Sequence, residues 1–177
     1  MRNRLLDTLN DTSYRRFLVY VMGPYKSHVT EDEEMYSFLE TVRDDLREEG
    51  FNAFLATDPE IPLDEIDAGT QSLEFARASN VVLFIVRNDS KNLGVGIEVG
   101  AVLEDMSDRQ RKRILFVHEE GVRSGMIRAI GDRWNVERQS FAHEEELLEE
   151  TKQFIADIVR KEDTGELPFP PGHEDES

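Results

Sequence analysis

The sequence predicts an α/β fold: a three-layer, Rossmann-like or flavodoxin-like parallel sheet of about five strands with helices on both faces. Two apolar runs, residues 17–22 and 81–86, continue without polar alternation. Such runs mark strands buried on both faces, as in a parallel sheet. Segments of helical periodicity stand between and after them, so strand and helix alternate along the chain. Glycines follow both runs, at Gly23 and at Gly94 and Gly96, where a strand must turn sharply into the next element.

The elements follow in order. Residues 1–16 are polar except for Leu5, Leu6 and Leu9, whose spacing suits a short helical turn. The run 17–22 forms the first strand and stops at Gly23-Pro24. Thr30 with Glu33 makes a capping box. Met35, Phe38, Leu39, Val42 and Leu46 then recur on one helical face, and Gly50 supplies the stop. Residues 51–56 read as a second, short strand. Pro59 and Pro62 mark a loop, and a weaker helical stretch covers 64–79, with Gly69 placed to divide it.

The run 81–86 is the strongest strand signal. After the glycine-rich segment a helix is expected over about 96–106 and a strand over 113–118. Residues 121–131 read as loop or short helix, and 134–141 as an edge strand. The last helix, 144–159, places Leu147, Leu148, Phe154, Ile155, Ile158 and Val159 largely on one side. From Glu162 the proline, glycine and acidic residues read as a disordered or surface-draped tail. One domain is therefore expected over residues 1–161, with its core in 17–161 and a tail at 162–177.

Composition narrows the function classes. The formal net charge is -17, and charged residues make up 33% of the chain. The acids are spread along the length, with no basic stripe to neutralise phosphates, which argues against polymeric nucleic acid as a partner. Only five lysines occur, and arginine supplies the other basic residues. An acid-rich, lysine-poor surface suits a salt-rich cytoplasm, because molar salt shortens the Debye length to about 3 Å and screens self-repulsion. The composition thus reads as that of a halophilic, archaeal protein, with an ordinary acidic protein as the competing reading. Cysteine is absent, which excludes disulfides, thiolate chemistry and Cys-ligated zinc. No apolar run approaches the roughly 20 residues that span a bilayer, so a cytoplasmic location without membrane contact is expected.

In a doubly wound sheet the ligand lies outside the carboxyl ends of the strands, near a switch point. Gly23-Pro24 and the 92–100 segment both fall at that edge. Gly94 and Gly96 permit a tight turn and close backbone approach by a ligand, while Glu98 falls in the first turn of the following helix. Backbone N–H groups there suit an anion, although a plain strand-to-helix turn also uses glycine and an N-terminal acid. No Gly-Lys-Ser/Thr follows, and the three-glycine dinucleotide fingerprint is missing. His28, His118, His143 and His173 show no metal-ligand spacing, and no metal is expected. His118 and Arg87 also end strands at this edge, as base or phosphate contacts or, for Arg87, as a salt-bridge partner. Lys26 and Ser27 are further pocket candidates, and Trp134 reads as a packing anchor.

The run Leu93-Gly94-Val95-Gly96-Ile97-Glu98-Val99-Gly100 resembles the Gly-x-Gly-x-Glu-Leu-Gly segment of the nucleoside 2-deoxyribosyltransferase-like family, which includes 2-deoxynucleoside 5-phosphate N-hydrolases. Tyr20-Val21-Met22-Gly23-Pro24 resembles that family's first-strand motif, and order and separation agree over about residues 17–117. The resemblance implies that Glu98 is a nucleophile that attacks the sugar anomeric carbon, and that Tyr20 orients it. Gly23, Pro24, Tyr25, Asn92, Gly94 and Gly96 would bind a nucleoside or nucleotide, without organic cofactor. A homo-oligomer, dimer or higher, is implied in the same way.

Three positions depart from the family pattern. Ser72 stands where an aspartate is usual, with Glu74 two residues on. Asn92 replaces an aspartate of the transferases, which favours hydrolysis over base exchange. Ser79-Asn80 replaces Ala-Asp. Asp89 is the preferred second acid. The leading expectation is cleavage of an N-glycosidic bond. Its rivals are a non-catalytic nucleotide-binding or sensing module and an NAD-cleaving domain, since Toll/interleukin-receptor-like folds also set a glutamate beside a parallel sheet.

Overall fold

The computed structural model describes residues 1–9, 16–23, 33–61, 68–88, 100–122 and 125–171. It begins with α1 (Arg2–Thr8), β1 (Leu18–Met22), α2 (Glu33–Glu48), β2 (Asn52–Phe54), α3 (Ala68–Ala78) and β3 (Val81–Val86). Helix α4, described over residues 100–105, is followed by α5 (Asp108–Arg111), β4 (Ile114–Glu119), α6 (Gly125–Trp134), β5 (Glu137–Phe141) and α7 (Glu144–Asp163). The five strands pair in parallel in the order β2-β1-β3-β4-β5. This is the predicted doubly wound α/β architecture.

Strand alternation divides the core into two layers. Leu18, Tyr20, Met22, Val82, Phe84, Val86, Ile114 and Phe116 pack with residues of α1, α3, α4 and α6. Val19, Val21, Leu83, Ile85, Leu115 and Val117 pack on the other face with residues of α2 and α7. The buried positions of α2 are Met35, Phe38, Leu39, Val42 and Leu46, the five that its periodicity marked. Gly50 ends the turn after it with φ 93°, a conformation glycine adopts without a Cβ penalty. The capping pair's Thr30 lies outside the described residues.

Helix α2 is tied to the loop after β2 by Asp58, whose side chain is fully buried. Asp58 accepts from Arg43, from Arg47 at 3.0 Å and from the Leu55 N–H at 2.9 Å. Arg47 also donates to the Ala53 carbonyl at 2.7 Å. The Arg43 and Arg47 side chains remain 11% and 30% exposed, so water compensates part of any loss. Asp58→Ala is therefore expected to lower the unfolding free energy by about 1–3 kcal/mol, read from urea denaturation. An unchanged midpoint would show that the cluster is a surface ornament.

Of the stretch 64–79, residues 64–67 lie outside the described residues, and α3 is described from Ala68. Three elements differ from the sequence reading. Residues 125–134 form a full helix, α6, and the short α5 was not anticipated. The tail expected from Glu162 begins differently: α7 continues to Asp163, and the chain then folds back with Leu167 2% exposed.

The reason is a buried polar cluster at the amino edge of the sheet. Glu162 is 5% exposed and accepts from Arg113 and, at 3.0 and 3.1 Å, from Asn80 Nδ2. Arg113 donates further to the Asn80 carbonyl at 3.0 Å and to the Pro168 carbonyl. Asn80 Oδ1 accepts the Leu18 N–H at 3.0 Å. An amide at position 80 both accepts and donates, which an aspartate facing Glu162 cannot do. Helix α1 joins this edge through Arg2, which donates to the Ala78 carbonyl at 2.7 Å and to the Arg16 carbonyl.

Candidate functional site at the carboxyl edge

The chain leaves β1 toward α2 on one face and β3 toward α4 on the other. That divergence opens the crevice in which doubly wound folds take ligands. Met22, the last residue of β1, pairs with Phe84, whereas β3 continues to Val86. Two extra residues carry β3 about 7 Å beyond β1, so Gly23 sits at a step. A Cβ on Gly23 would lie 2.9 Å from both Leu39 Cδ atoms and 3.1 Å from Met35 Cε. A side chain here would push the tips of Leu39 and Met35 aside, so the packing of α2 favours glycine, beside any need for ligand approach.

Tyr20 lies one turn of the pleat below this step, on the face covered by α3 and α4. It is 1% exposed, stacks on Phe54 at 5.0 Å between ring centroids, and meets Phe75 edge-on at 5.7 Å. Its hydroxyl donates to Ser72 Oγ at 3.4 Å. The ring is thus a core residue, and its polar tip points toward α3. Glu74, the nearest acid on that helix, pairs with Arg77 at 2.7 Å with its side chain 37% exposed. It does not stand in for the carboxylate that Ser72 lacks.

The other expected site residues, Pro24, Tyr25, Asp89, Asn92, Gly94, Gly96 and Glu98, lie outside the described residues, as do Lys26 and Ser27. The structure therefore brings Tyr20 together with Ser72 and places Gly23 above them.

A second group gathers where β3 and β4 leave the sheet. Val86 pairs with His118, so Arg87 and Asn88 emerge beside Glu119 and Glu120. Glu119 Oε2 accepts the Asn88 backbone N–H at 2.9 Å and lies 3.8 Å from Arg87 Nε. Asn88 Nδ2 donates to the Glu120 carbonyl at 2.5 Å. The Arg87 guanidinium lies 4.7 Å above the Phe38 ring, and the ion pair expected of Arg87 is present. His118 is half-buried, with Nδ1 3.2 Å from the Glu119 carbonyl. Sequence reasoning missed Glu119 and Asn88. The available signal was Gly121, whose φ of 91° marks a turn that needs glycine immediately after β4.

Two grooves lie away from this edge. One of about 400 Å³ runs between β5 and α7, lined by Glu137, Gln139, Gln153 and Phe154 among others. One of about 200 Å³ lies between Met106 and the chain at Leu167 and Phe169. Both follow from how α7 and the residues after it meet the sheet. Among the described residues no group of three or more His, Asp or Glu side chains could hold a metal ion, and no helix is long and apolar enough to cross a membrane.

The sequence matches the family described as "Domain of unknown function (DUF7509)" over residues 2–33 and 28–170, nearly the whole chain. The chain belongs to this family. No curated protein matches it. Among solved structures, this DUF7509 chain is similar to the CMP N-glycosidase BcmB of Clostridium botulinum. The TM-score is 0.51 at 15% identity, covering 77% of this chain and 98% of that one. The likeness extends through the whole of the other chain and establishes a shared α/β fold. The flavodiiron core of Flv1 from Synechocystis sp. PCC6803 also matches, with a TM-score of 0.48 at 11% identity over 88% of this chain and 38% of that one.

Proposed function

We propose that this DUF7509 protein cleaves the N-glycosidic bond of a nucleoside or nucleotide. The observation that carries the reading is the buried Tyr20 hydroxyl below the β1/β3 step, in a fold shared with a CMP N-glycosidase. The two motifs that resemble nucleoside 2-deoxyribosyltransferase-like enzymes flank that step in sequence.

In this reading the Glu98 carboxylate attacks the sugar anomeric carbon. The carbon–nitrogen bond breaks, and its electron pair leaves with the base, which takes up a proton, with Asp89 as the proposed donor. Water then hydrolyses the glycosyl ester and restores the carboxylate. Tyr20 orients Glu98, and Gly23, Pro24, Tyr25, Asn92, Gly94 and Gly96 form the substrate cradle. Asn92 favours water over a second base as the acceptor. A homo-oligomer working in a salt-rich cytoplasm fits the same resemblance and the lysine-poor acidic surface.

One observation favours a second reading. Ser72 presents a hydroxyl to Tyr20 where the resembled enzymes carry a carboxylate. A module that binds nucleotides without cleaving them would tolerate that loss.

The test incubates the purified protein in molar KCl with nucleosides, ribo- and deoxynucleoside monophosphates including CMP, and NAD, and follows released base by chromatography. Release from a nucleoside or monophosphate is the expected result. Release from NAD alone would move the assignment to an NAD-cleaving domain. Binding of a nucleotide in equilibrium dialysis without any release would establish the sensing module.

A further inference from the structure

Strand β5 closes one side of the sheet and, among the described residues, pairs with β4 alone. The Phe141 carbonyl accepts the Glu120 N–H at 2.8 Å, which sets the phase of this ladder. Main-chain groups point to alternate sides from one strand residue to the next, so Gln139 and Glu137 also turn theirs toward β4. Arg138 and Ser140 turn theirs outward, to an edge that no described strand covers. Such a row of N–H and C=O groups is a template for a further strand.

The groove of about 400 Å³ between β5 and α7 runs beside this edge. Phe141 belongs to the core layer under α7, so by alternation Glu137 and Gln139 face the groove. Glu150, Gln153, Asp157 and Lys161 of α7 line its other wall, and their spacing of three and four keeps them on one helix face. From the first to the last that wall rises about 17 Å, the length of about five extended residues. Strand β5 itself has five.

Charge decides between occupants. Asp157 is held by Lys161 at 2.5 Å and by Arg160 at 2.9 Å, and Glu166 lies 3.4 Å from Arg160. Glu137 and Glu150, on facing walls, pair with no cation among the described residues, and Glu137 accepts the Gln139 amide at 3.2 Å. Lys112 stands exposed at the groove's amino end. A second copy paired through β5 would set these carboxylates against their own images in a chain of net charge -17, and like charges facing across a strand pair are destabilising. A segment with lysine or arginine at alternate positions would bring cations to both walls while its main chain pairs with β5.

We propose that β5 takes up an extended, lysine- or arginine-bearing segment of a partner protein as a sixth strand. Main-chain bonds to Arg138 and Ser140 supply the affinity, and Glu137 and Glu150 select the cationic side chains. This surface stands apart from the β1/β3 crevice and does not depend on the glycosidase reading.

The probe is a fluorescein-labelled peptide of alternating lysine and threonine. Its binding to the full-length protein is read by fluorescence anisotropy, at the lowest KCl concentration that preserves the wild-type circular dichroism spectrum. Two further peptides carry N-methyl groups on every lysine or on every threonine. An added strand offers β5 only alternate residues, so one methylated peptide should bind about tenfold or more weakly and the other like the parent. The double variant Glu137→Lys, Glu150→Lys should also weaken the parent peptide about tenfold or more, with its unfolding midpoint unchanged.

No binding of the parent peptide to wild type overturns the proposal. Equal behaviour of the two methylated peptides, whether both bind or both fail, overturns strand addition and needs no protein variant. Full affinity in the folded double variant overturns the selection by charge. Dimerisation in sedimentation equilibrium that the peptide reverses would make a second copy the occupant and overturn the assignment to a basic partner.

Discussion

Glu162→Ala is expected to destabilise the protein by about 3–5 kcal/mol, the cost of breaking a buried ion pair by removing one partner. Glu162 and Arg113 are each 5% exposed, so water cannot replace the lost contact. Burial already lowers the Arg113 guanidinium below its ordinary value, with Glu162 opposing that shift. Burial likewise lowers Arg2 to about 10, again against the pull of Glu162. One carboxylate therefore offsets two buried cations, and its removal also leaves Asn80 Nδ2 without its acceptor. The effect extends beyond the pair, because α1, β1, β3, β4 and the chain at Pro168 all meet there. Urea denaturation at fixed salt measures the loss. Glu162→Gln should fall between wild type and alanine, since its amide carbonyl still accepts from one donor. A Glu162→Ala midpoint equal to wild type would mean that the cluster is solvated in solution and that Arg113 has another partner.

This cluster also shows why parts of the fold were not legible in the sequence. Glu162 stands among Lys161, Asp163 and Glu166, and locally such an acid looks like any solvated tail residue. Its partner Arg113 is 49 residues away, so only the closed sheet reveals the pairing. Helix α6 was obscured by Gly125 and Gly131, which read as loop punctuation; the Arg138 guanidinium lies against Gly131, where a Cβ would push it aside. By contrast α2 and β3 were legible because each carries its burial pattern within its own span. The same division runs through the site. Gly23 and Tyr20 were readable from one strand and the turn that follows it. The Tyr20–Ser72 contact joins residues 52 apart, and the Glu119–Asn88 bond joins residues 31 apart. Both depend on strand order, which periodicity does not encode.

On the proposed glycosidase reading, replacing Glu98 by glutamine is expected to reduce base release by about a thousandfold or more, because nucleophile removal usually leaves only the contribution of binding and electrostatics. Glutamine keeps the size of the side chain, but an amide oxygen is a far weaker nucleophile than a carboxylate. Substrate affinity in equilibrium dialysis should change only a few-fold. A 2-deoxy-2-fluoro nucleoside, whose fluorine slows breakdown of a glycosyl ester, should label the wild-type protein by one sugar on Glu98 and leave Glu98→Gln unlabelled. Tyr20→Phe separates orientation from chemistry. It keeps the ring packing against Phe54 and Phe75 and removes only the hydroxyl, so the label should still form on Glu98, more slowly. If Glu98→Gln releases base at the wild-type rate, the carboxylate is not the nucleophile. The Tyr20 hydroxyl would then belong with its bond to Ser72, as part of how α3 seats on β1.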